Sequence, residues 1–170
     1  MRITRIAVLL CCCLFAASLF AQMAKPGLWE VTSNMTFQKS PFANMPNMPD
    51  MSKVPNSPFG GGPHTSQVCI TPQQIEKYGS PVNEQRDCQI VNIRKSSTGM
   101  KAEMVCSGNM NGKATIETTV LDASHSKTHV HFAGTMGGRG GQGMDVEWTS
   151  DSTSTYKGPD CGSVKPIPTK

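Results

Sequence analysis

The sequence predicts a mainly β protein: a curled antiparallel meander of about seven strands, arranged as a barrel, half-barrel or sandwich, with one short helix. Three observations lead to this fold class. Several segments alternate between apolar and polar residues, clusters of turn-forming residues separate them at hairpin spacing, and four cysteines lie beyond an N-terminal apolar stretch. An even number of cysteines predicts that the sheet is stapled by disulfides.

The first 21 residues have the layout of a secretory signal peptide. Arg2 and Arg5 form a positive start, the apolar run 6–20 carries no charge, and Ala21 offers a small residue at the cleavage point. The run of 15 residues is shorter than the roughly 20 needed to span a bilayer. We therefore expect residues 1–21 to be removed, leaving 22–170 as a single β domain.

The charge balance of that domain argues against nucleic acid as a partner. The chain has 16 Lys and Arg against 12 Asp and Glu, and the predicted signal peptide removes two arginines, so the remainder carries 14 − 12 = +2. Nucleic-acid binding normally requires clustered Lys and Arg, and a net charge of only +2 argues against such a surface. No second apolar stretch is long enough to predict a transmembrane span.

The first predicted strand covers 28–38, where Trp29, Val31 and Phe37 share one parity. The following segment, 40–63, holds six of the twelve prolines and a run of three glycines, with no periodicity. Proline lacks the N–H that a ladder requires, so this Met-, Pro- and Gly-rich segment is predicted to be a mobile loop.

A short strand over 64–70 leads into the predicted helix. Thr71 is suited to cap the helix, Pro72 to occupy its first position, and Gln74 to complete a capping box. Gly79 can adopt the left-handed conformation that ends a helix, so the helix is predicted to stop near Tyr78.

The second half of the chain predicts consecutive hairpins. Segments 88–95 and 100–106 flank a turn over 96–99, and three further alternating segments follow. Their apolar positions are Ala114, Ile116 and Val120, then Val130, Phe132 and Met136, and finally Met144, Val146 and Trp148.

The four cysteines that remain after signal removal are Cys69, Cys88, Cys106 and Cys161, which allow three connectivities. A hairpin turn centred on Ser97 places Cys88 opposite Cys106, at bridging distance. This favours Cys88–Cys106 together with Cys69–Cys161. The pairing Cys69–Cys88 with Cys106–Cys161 stays open, because a one-residue change in the turn favours it.

Several motifs give the chain a family resemblance. The segment Lys25-Pro26-Gly27-Leu28-Trp29-Glu30-Val31-Thr32, the segment Cys69-Ile70-Thr71-Pro72-Gln73-Gln74, the hairpin ending in Cys106-Ser107-Gly108 and the late Cys161 resemble the bacterial domain-of-unknown-function family 3617. The resemblance implies a periplasmic protein without an established activity, and it supplies no catalytic residue. The residues Pro159-Asp160 before the last cysteine depart from the Gly-Asp pair usual in that family.

One candidate metal site lies in the late meander. If Val130 and Phe132 face the core, His129 and His131 share the opposite face, with Glu117 expected near His131 across one hairpin and Glu147 across the next. Imidazoles and carboxylates are ligands for zinc or copper(II). The same alternation is also typical of the solvated face of an antiparallel sheet.

A second candidate lies in the loop, where Met45, Met48 and Met51 are spaced like motifs that bind copper(I). The same methionines also suit a flexible apolar contact surface. The glycines at 138, 140 and 143 match G-x-G-x-x-G, but they lie between two strands, with no helix N-terminus to receive a phosphate.

The function that the sequence favours is a non-enzymatic binding module. The motifs of serine hydrolases, zinc proteases and P-loop enzymes are absent, and no cofactor is predicted. A curled sheet with an apolar interior suggests a small apolar ligand or an envelope protein as partner, in the periplasm or after secretion. The alternative is a periplasmic protein that handles copper or zinc through the residues above.

Overall fold

A computed structural model describes residues 24–40, 62–82, 87–137 and 143–166. These residues form one seven-stranded antiparallel sheet with one short helix, which confirms the predicted mainly β class. The predicted signal peptide 1–21 and residues 41–61 of the predicted loop lie outside the described residues, as do 138–142 of the glycine-rich connection.

The elements are β1 (Gly27–Lys39), β2 (His64–Ile70), α1 (Pro72–Tyr78), β3 (Cys88–Ser96), β4 (Gly99–Ser107), β5 (Met110–Asp122), β6 (His125–Met136) and β7 (Met144–Gly158). The strand order across the sheet is β2-β1-β7-β6-β5-β4-β3. Strands β3 to β7 therefore form the predicted meander of hairpins, and β1 continues the sheet by pairing with β7.

The predicted curling into a barrel, half-barrel or sandwich is wrong, because the sheet is neither closed nor strongly curled. Its two edges are β2 and β3, which do not pair with each other among the described residues. Helix α1 lies between these strands in the chain, and it packs on the sheet: Ile75 joins Trp29 in one apolar cluster, whereas Tyr78 and Val82 join another. The helix and the residues after it thus cover apolar surface that a barrel or sandwich would bury by closure.

The helix boundaries follow the predicted chemistry. The backbone N–H of Gln74 donates to Thr71 Oγ1 at 3.2 Å, and the Thr71 N–H donates to Gln74 Oε1 at 2.8 Å. Pro72 occupies the first turn, and Gly79 ends the helix with a φ of 71°. This capping box and left-handed glycine allow a helix of only seven residues to begin and end at defined positions.

The apolar side chains are concentrated on one side of the sheet, which we call the inner face. The larger cluster covers β3 to β7, where Phe132 is fully buried and stacks on Trp148 with ring centroids 5.4 Å apart. The smaller cluster surrounds Trp29 at the other end of the strands and includes Ile70 and Ile75. The inner face therefore has two apolar regions, one toward each end of β1 and β7.

The disulfide Cys88–Cys106 is confirmed, but by a different local route from the predicted one. The turn is centred between Ser97 and Thr98, since Ser96 pairs with Gly99. That register alone would place Cys88 opposite Ser107. A bulge between Val91 and Arg94 shifts the register by one residue and restores the pair Cys88–Cys106.

The residue that permits this bulge is Asn92, which has a φ of 52°. Asparagine tolerates the left-handed region better than most residues, and here its side-chain amide also donates to Glu103 Oε2 at 3.0 Å. A single asparagine therefore accompanies the register change on which the disulfide depends.

The second predicted disulfide, Cys69–Cys161, is also confirmed. It joins the end of β2 to the segment after β7, passing the start of β1, because Leu28 pairs with both Cys69 and Gly158. Two buried or partly buried disulfides are typical of proteins that mature in an oxidising compartment. Within the described ranges, no helix has the length and apolar character needed to cross a bilayer.

Candidate functional site

The inner face carries a group of hydroxyl side chains between its two apolar regions. On β7, Ser150, Ser152 and Ser154 follow Trp148 at every second position, so their side chains lie on the same inner face as Trp148. The neighbouring strands place further hydroxyls beside them, so that rows of serine and threonine cross the sheet. We call this set the hydroxyl band: Ser33, Ser66, Thr118, Ser126, Thr128, Ser150, Ser152 and Ser154.

The register shows how the rows form. In one row, Val31 lies between Ser66 of β2 and Ser154 of β7, and Ser154 in turn pairs with Ser126 of β6. In the next row, Ser152 lies between Ser33 and Thr128. Hydroxyl groups therefore occupy positions where the inward face of a sheet normally carries large apolar side chains.

Only part of the hydroxyl band is satisfied within the sheet. The Thr118 and Thr128 hydroxyl oxygens lie 3.0 Å apart, and Ser152 Oγ donates to the Thr128 carbonyl at 3.4 Å. Among the described residues, Ser126 Oγ is buried without a hydrogen-bond partner. The hydroxyl of Ser154, a residue only 4% exposed, also has no partner in this part of the chain.

A cavity of about 270 Å³ lies over the hydroxyl band. Six of its lining residues are serines or threonines, and the others are apolar. None of the described lining residues is charged. They are Val31, Ser33, Met35, Ser66, Val68, Ile70, Pro81, Val82, Met104, Ile116, Thr128, Val130, Trp148, Ser150, Ser152 and Ser154.

The walls of this cavity come from every strand between β2 and β4 in the sheet order, together with the residues after α1. Pro81 and Val82, which follow α1 in the connection to β3, form one side of the cavity. Val82 is 7% exposed, and Trp148 is also 7% exposed, so the apolar walls are themselves held in the core.

The opposite side of the sheet, the outer face, carries ionisable groups in cross-strand rows. One row, which we call the charge ladder, consists of Lys101, Glu117, His129 and Asp151 on β4, β5, β6 and β7. Lys101 Nζ lies 2.8 Å from Glu117 Oε1, and His129 Nδ1 lies 2.8 Å from Asp151 Oδ1. The sequence predicts Glu117 beside His131. This prediction is wrong, because Glu117 lies opposite His129.

The physical reason for this difference is the β5–β6 turn. The turn residues are 123 and 124, and a register shift between Val120 and Asp122 places Glu117 opposite His129. Glu147 is where it was expected, with its Oε1 3.2 Å from His131 Nε2 and its Oε2 3.1 Å from Lys39 Nζ. Each histidine thus has a different carboxylate partner.

The outer-face carboxylates are held in their ionised form by these partners. The hydrogen bond and positive charge of Lys101 lower the pKa of Glu117. Hydrogen bonds from Lys39 and then His131 lower the pKa of Glu147. The pKa of Asp122 is lowered first by the Ser124 backbone N–H and then by His125. All three carboxylates are solvent-accessible, so these are surface interactions.

The candidate metal ligands are only partly brought together. His129 and His131 share the outer face as predicted, yet no three His, Cys, Asp or Glu side chains of the described residues are grouped so that they could hold a metal ion. Met45, Met48 and Met51 lie outside the described residues. Metal handling by either set stays a prediction.

A depression of about 570 Å³ also lies beside His129 and Asp151. Its lining is mainly hydroxyl, amide and charged groups, and His129 and Asp151 already contact each other. It therefore lacks the apolar walls with few polar groups that are typical of small-molecule sites.

The hydroxyl band was missed by sequence reasoning. The signal is present, because Ser150, Ser152 and Ser154 continue the inward parity of Val146 and Trp148. The intervening positions are Asp151, Thr153 and Thr155, so polar residues occupy both parities and the alternation loses its contrast.

Comparison with known proteins places the chain in a family but gives no activity. The model of a family described as a protein of unknown function, DUF3617, matches residues 24–161. No curated protein matches the chain, and neither does any solved structure.

Proposed function

The chain belongs to the DUF3617 family of proteins of unknown function. We propose that it is a non-enzymatic periplasmic protein that binds a small, largely apolar ligand. The proposed binding site is the cavity over the hydroxyl band. The single observation that carries the proposal is that this cavity is open inside an otherwise packed apolar face.

The size of the cavity supports a small ligand. Apolar cavities of about 150 Å³ take up benzene, and typical small-molecule pockets begin near 300 Å³. At about 270 Å³ the cavity lies between these values. It is therefore large enough for a ligand bigger than benzene and small for a drug-sized molecule.

The chemistry of the lining supports binding without turnover. General acid–base catalysis requires a titratable side chain within hydrogen-bond reach of the substrate. The described lining residues carry only hydroxyl and apolar side chains. The ionisable groups of the charge ladder belong to the outer face of the sheet.

The proposed location rests on the cysteines. Cys69–Cys161 and Cys88–Cys106 are both paired, and disulfides of this kind persist in oxidising compartments such as the periplasm. The signal peptide predicted over residues 1–21 adds an export route, and the mass of the protein purified from the periplasm would test its removal.

The binding proposal is tested with the fluorescent probe N-phenyl-1-naphthylamine and two matched variants. Ser152→Phe introduces a ring into the cavity, whereas Thr153→Phe introduces the same ring on the outer face of the same strand. We expect the oxidised full-length mature protein to bind the probe saturably. We expect Ser152→Phe to weaken binding at least about tenfold, which corresponds to about 1.4 kcal/mol, and Thr153→Phe to leave it unchanged.

Circular dichroism and free-thiol titration first establish that both variants are folded and oxidised. Absence of saturable probe binding by the folded wild-type protein would overturn the proposal. So would equal binding by the two phenylalanine variants, because the probe would then occupy another surface.

A further inference from the structure

We propose that the ligand of this cavity is a neutral amphiphile, with an apolar body and an uncharged head that hydrogen-bonds to the hydroxyl band. This inference rests on the proposed function, and it adds the chemical class of the ligand. Three properties of the described lining carry it: unpartnered hydroxyls, the absence of charge, and the separation of apolar from hydroxyl groups along β7.

The hydroxyls are the first property. A hydroxyl that lines a cavity without a protein partner can hydrogen-bond only to water or to a ligand. Ser154 lines the cavity at 4% exposure, and its hydroxyl has no partner among the described residues. Ser150 lines the same cavity and likewise makes no side-chain hydrogen bond within the described chain. A ligand atom in the cavity can supply the missing partner.

The absence of charge is the second property. Serine and threonine hydroxyls both donate and accept hydrogen bonds, so they suit alcohol, ester, ether and amide groups. An anionic or cationic head would lose its hydration without gaining a counter-charge from the described lining residues. The lining therefore selects for an uncharged head.

The distribution of apolar and hydroxyl groups in the lining is the third property. Along β7 the lining changes from Trp148 to Ser154, which lies about 20 Å further along the strand at roughly 3.3 Å per residue. Trp148, Val130 and Ile116 surround one part, whereas Ser152 and Ser154 lie further along the sheet. A ligand can place its apolar body beside Trp148 and its head beside Ser154.

The test compares three ligands that share one alkyl chain: 1-decanol, decane and decanoate. Each displaces N-phenyl-1-naphthylamine from the oxidised protein at pH 7.5. We expect decanol to displace the probe at concentrations about tenfold lower than either decane or decanoate, since one or two hydrogen bonds distinguish it. In Ser150→Ala/Ser154→Ala, we expect the advantage of decanol over decane to disappear while decane binding is retained. Thr153→Ala removes a hydroxyl from the outer face and is expected to keep the advantage.

The outcomes separate this inference from the proposed function. If the probe and all three ligands fail to bind the folded protein, the proposed function falls and this inference falls with it. If decane or decanoate displaces the probe as well as decanol does, binding stands but the neutral-head inference is overturned. Retention of the decanol advantage in Ser150→Ala/Ser154→Ala also overturns it.

Discussion

The two faces of the sheet are both rich in polar residues, but they use them differently. On the outer face, the charged groups are paired across strands, as in the contacts of Lys101 with Glu117 and of His129 with Asp151. On the inner face, Ser126 Oγ is buried, and the described residues offer it no hydrogen-bond partner.

The polar groups of the outer face thus bond to one another, whereas some polar groups of the inner face have no partner among the described residues. Paired charges in water are the ordinary surface of an antiparallel sheet, and each exposed pair contributes little to stability. Buried hydroxyls without partners destabilise the fold, and the described residues do not compensate them. The inner face therefore carries polarity that the described contacts of the fold leave without a partner.

We expect the largest effect from a substitution in the apolar part of the inner face. Phe132→Ala removes a fully buried ring that stacks on Trp148, and we expect it to lower the free energy of unfolding by about 3–5 kcal/mol. The adjacent outer-face substitution His131→Ala removes a half-exposed ring bonded to Glu147 and is expected to change the urea midpoint much less. Urea unfolding of the oxidised variants, followed by circular dichroism, measures both. Similar losses in the two variants would contradict the division into faces.

A smaller effect of opposite sign is expected in the hydroxyl band. Ser126→Ala removes a buried hydroxyl that has no partner among the described residues, so we expect the unliganded protein to become more stable by about 1 kcal/mol. Thermal unfolding of ligand-free protein measures the change, and Ser107→Ala, an exposed serine, is the control. A clear loss of stability in Ser126→Ala would mean that this hydroxyl is satisfied in the folded protein.

The smallest expected effect concerns the outer face and its pH dependence. The folded-state pKa values of Glu117 and Glu147 are lowered, first by Lys101 and by Lys39 respectively. Each carboxylate therefore contributes stability above its unfolded pKa of about 4.3, and this is lost as the pH falls through the lower folded value. We expect Glu117→Gln/Glu147→Gln to flatten the decline in unfolding free energy between about pH 5 and pH 3. An unchanged slope, measured by urea unfolding at each pH, would show that these pairs do not stabilise the folded state.

The local signals in the sequence predicted most of the elements. The capping residues Thr71, Pro72 and Gln74 with Gly79 defined the helix, because these interactions involve neighbours in the chain. Period-two alternation located the strands for the same reason. Closure was predicted wrongly, since whether β2 and β3 meet depends on how α1 packs on the sheet, which no local pattern encodes.

The two candidate sites differ in how far the sequence could find them. The outer-face histidines His129 and His131 were recognised because histidine is conspicuous, but their carboxylate partners depend on register. A single bulge in β5 assigns Glu117 to His129, and such a shift leaves no clear mark in the sequence. The hydroxyl band depends on rows assembled from several strands, so it exists only after the sheet has formed.

The sequence by itself determined the strand and helix content and the four cysteines available for disulfides, because these follow from periodicity, capping and cysteine count. Tertiary structure decided the open sheet, the bulge at Asn92 that aligns Cys88 with Cys106, and the cavity over the hydroxyl band. The physical reason is that register and packing depend on contacts between residues far apart in the chain. In this protein, those contacts place serines where the sequence alone gave no reason to expect a site.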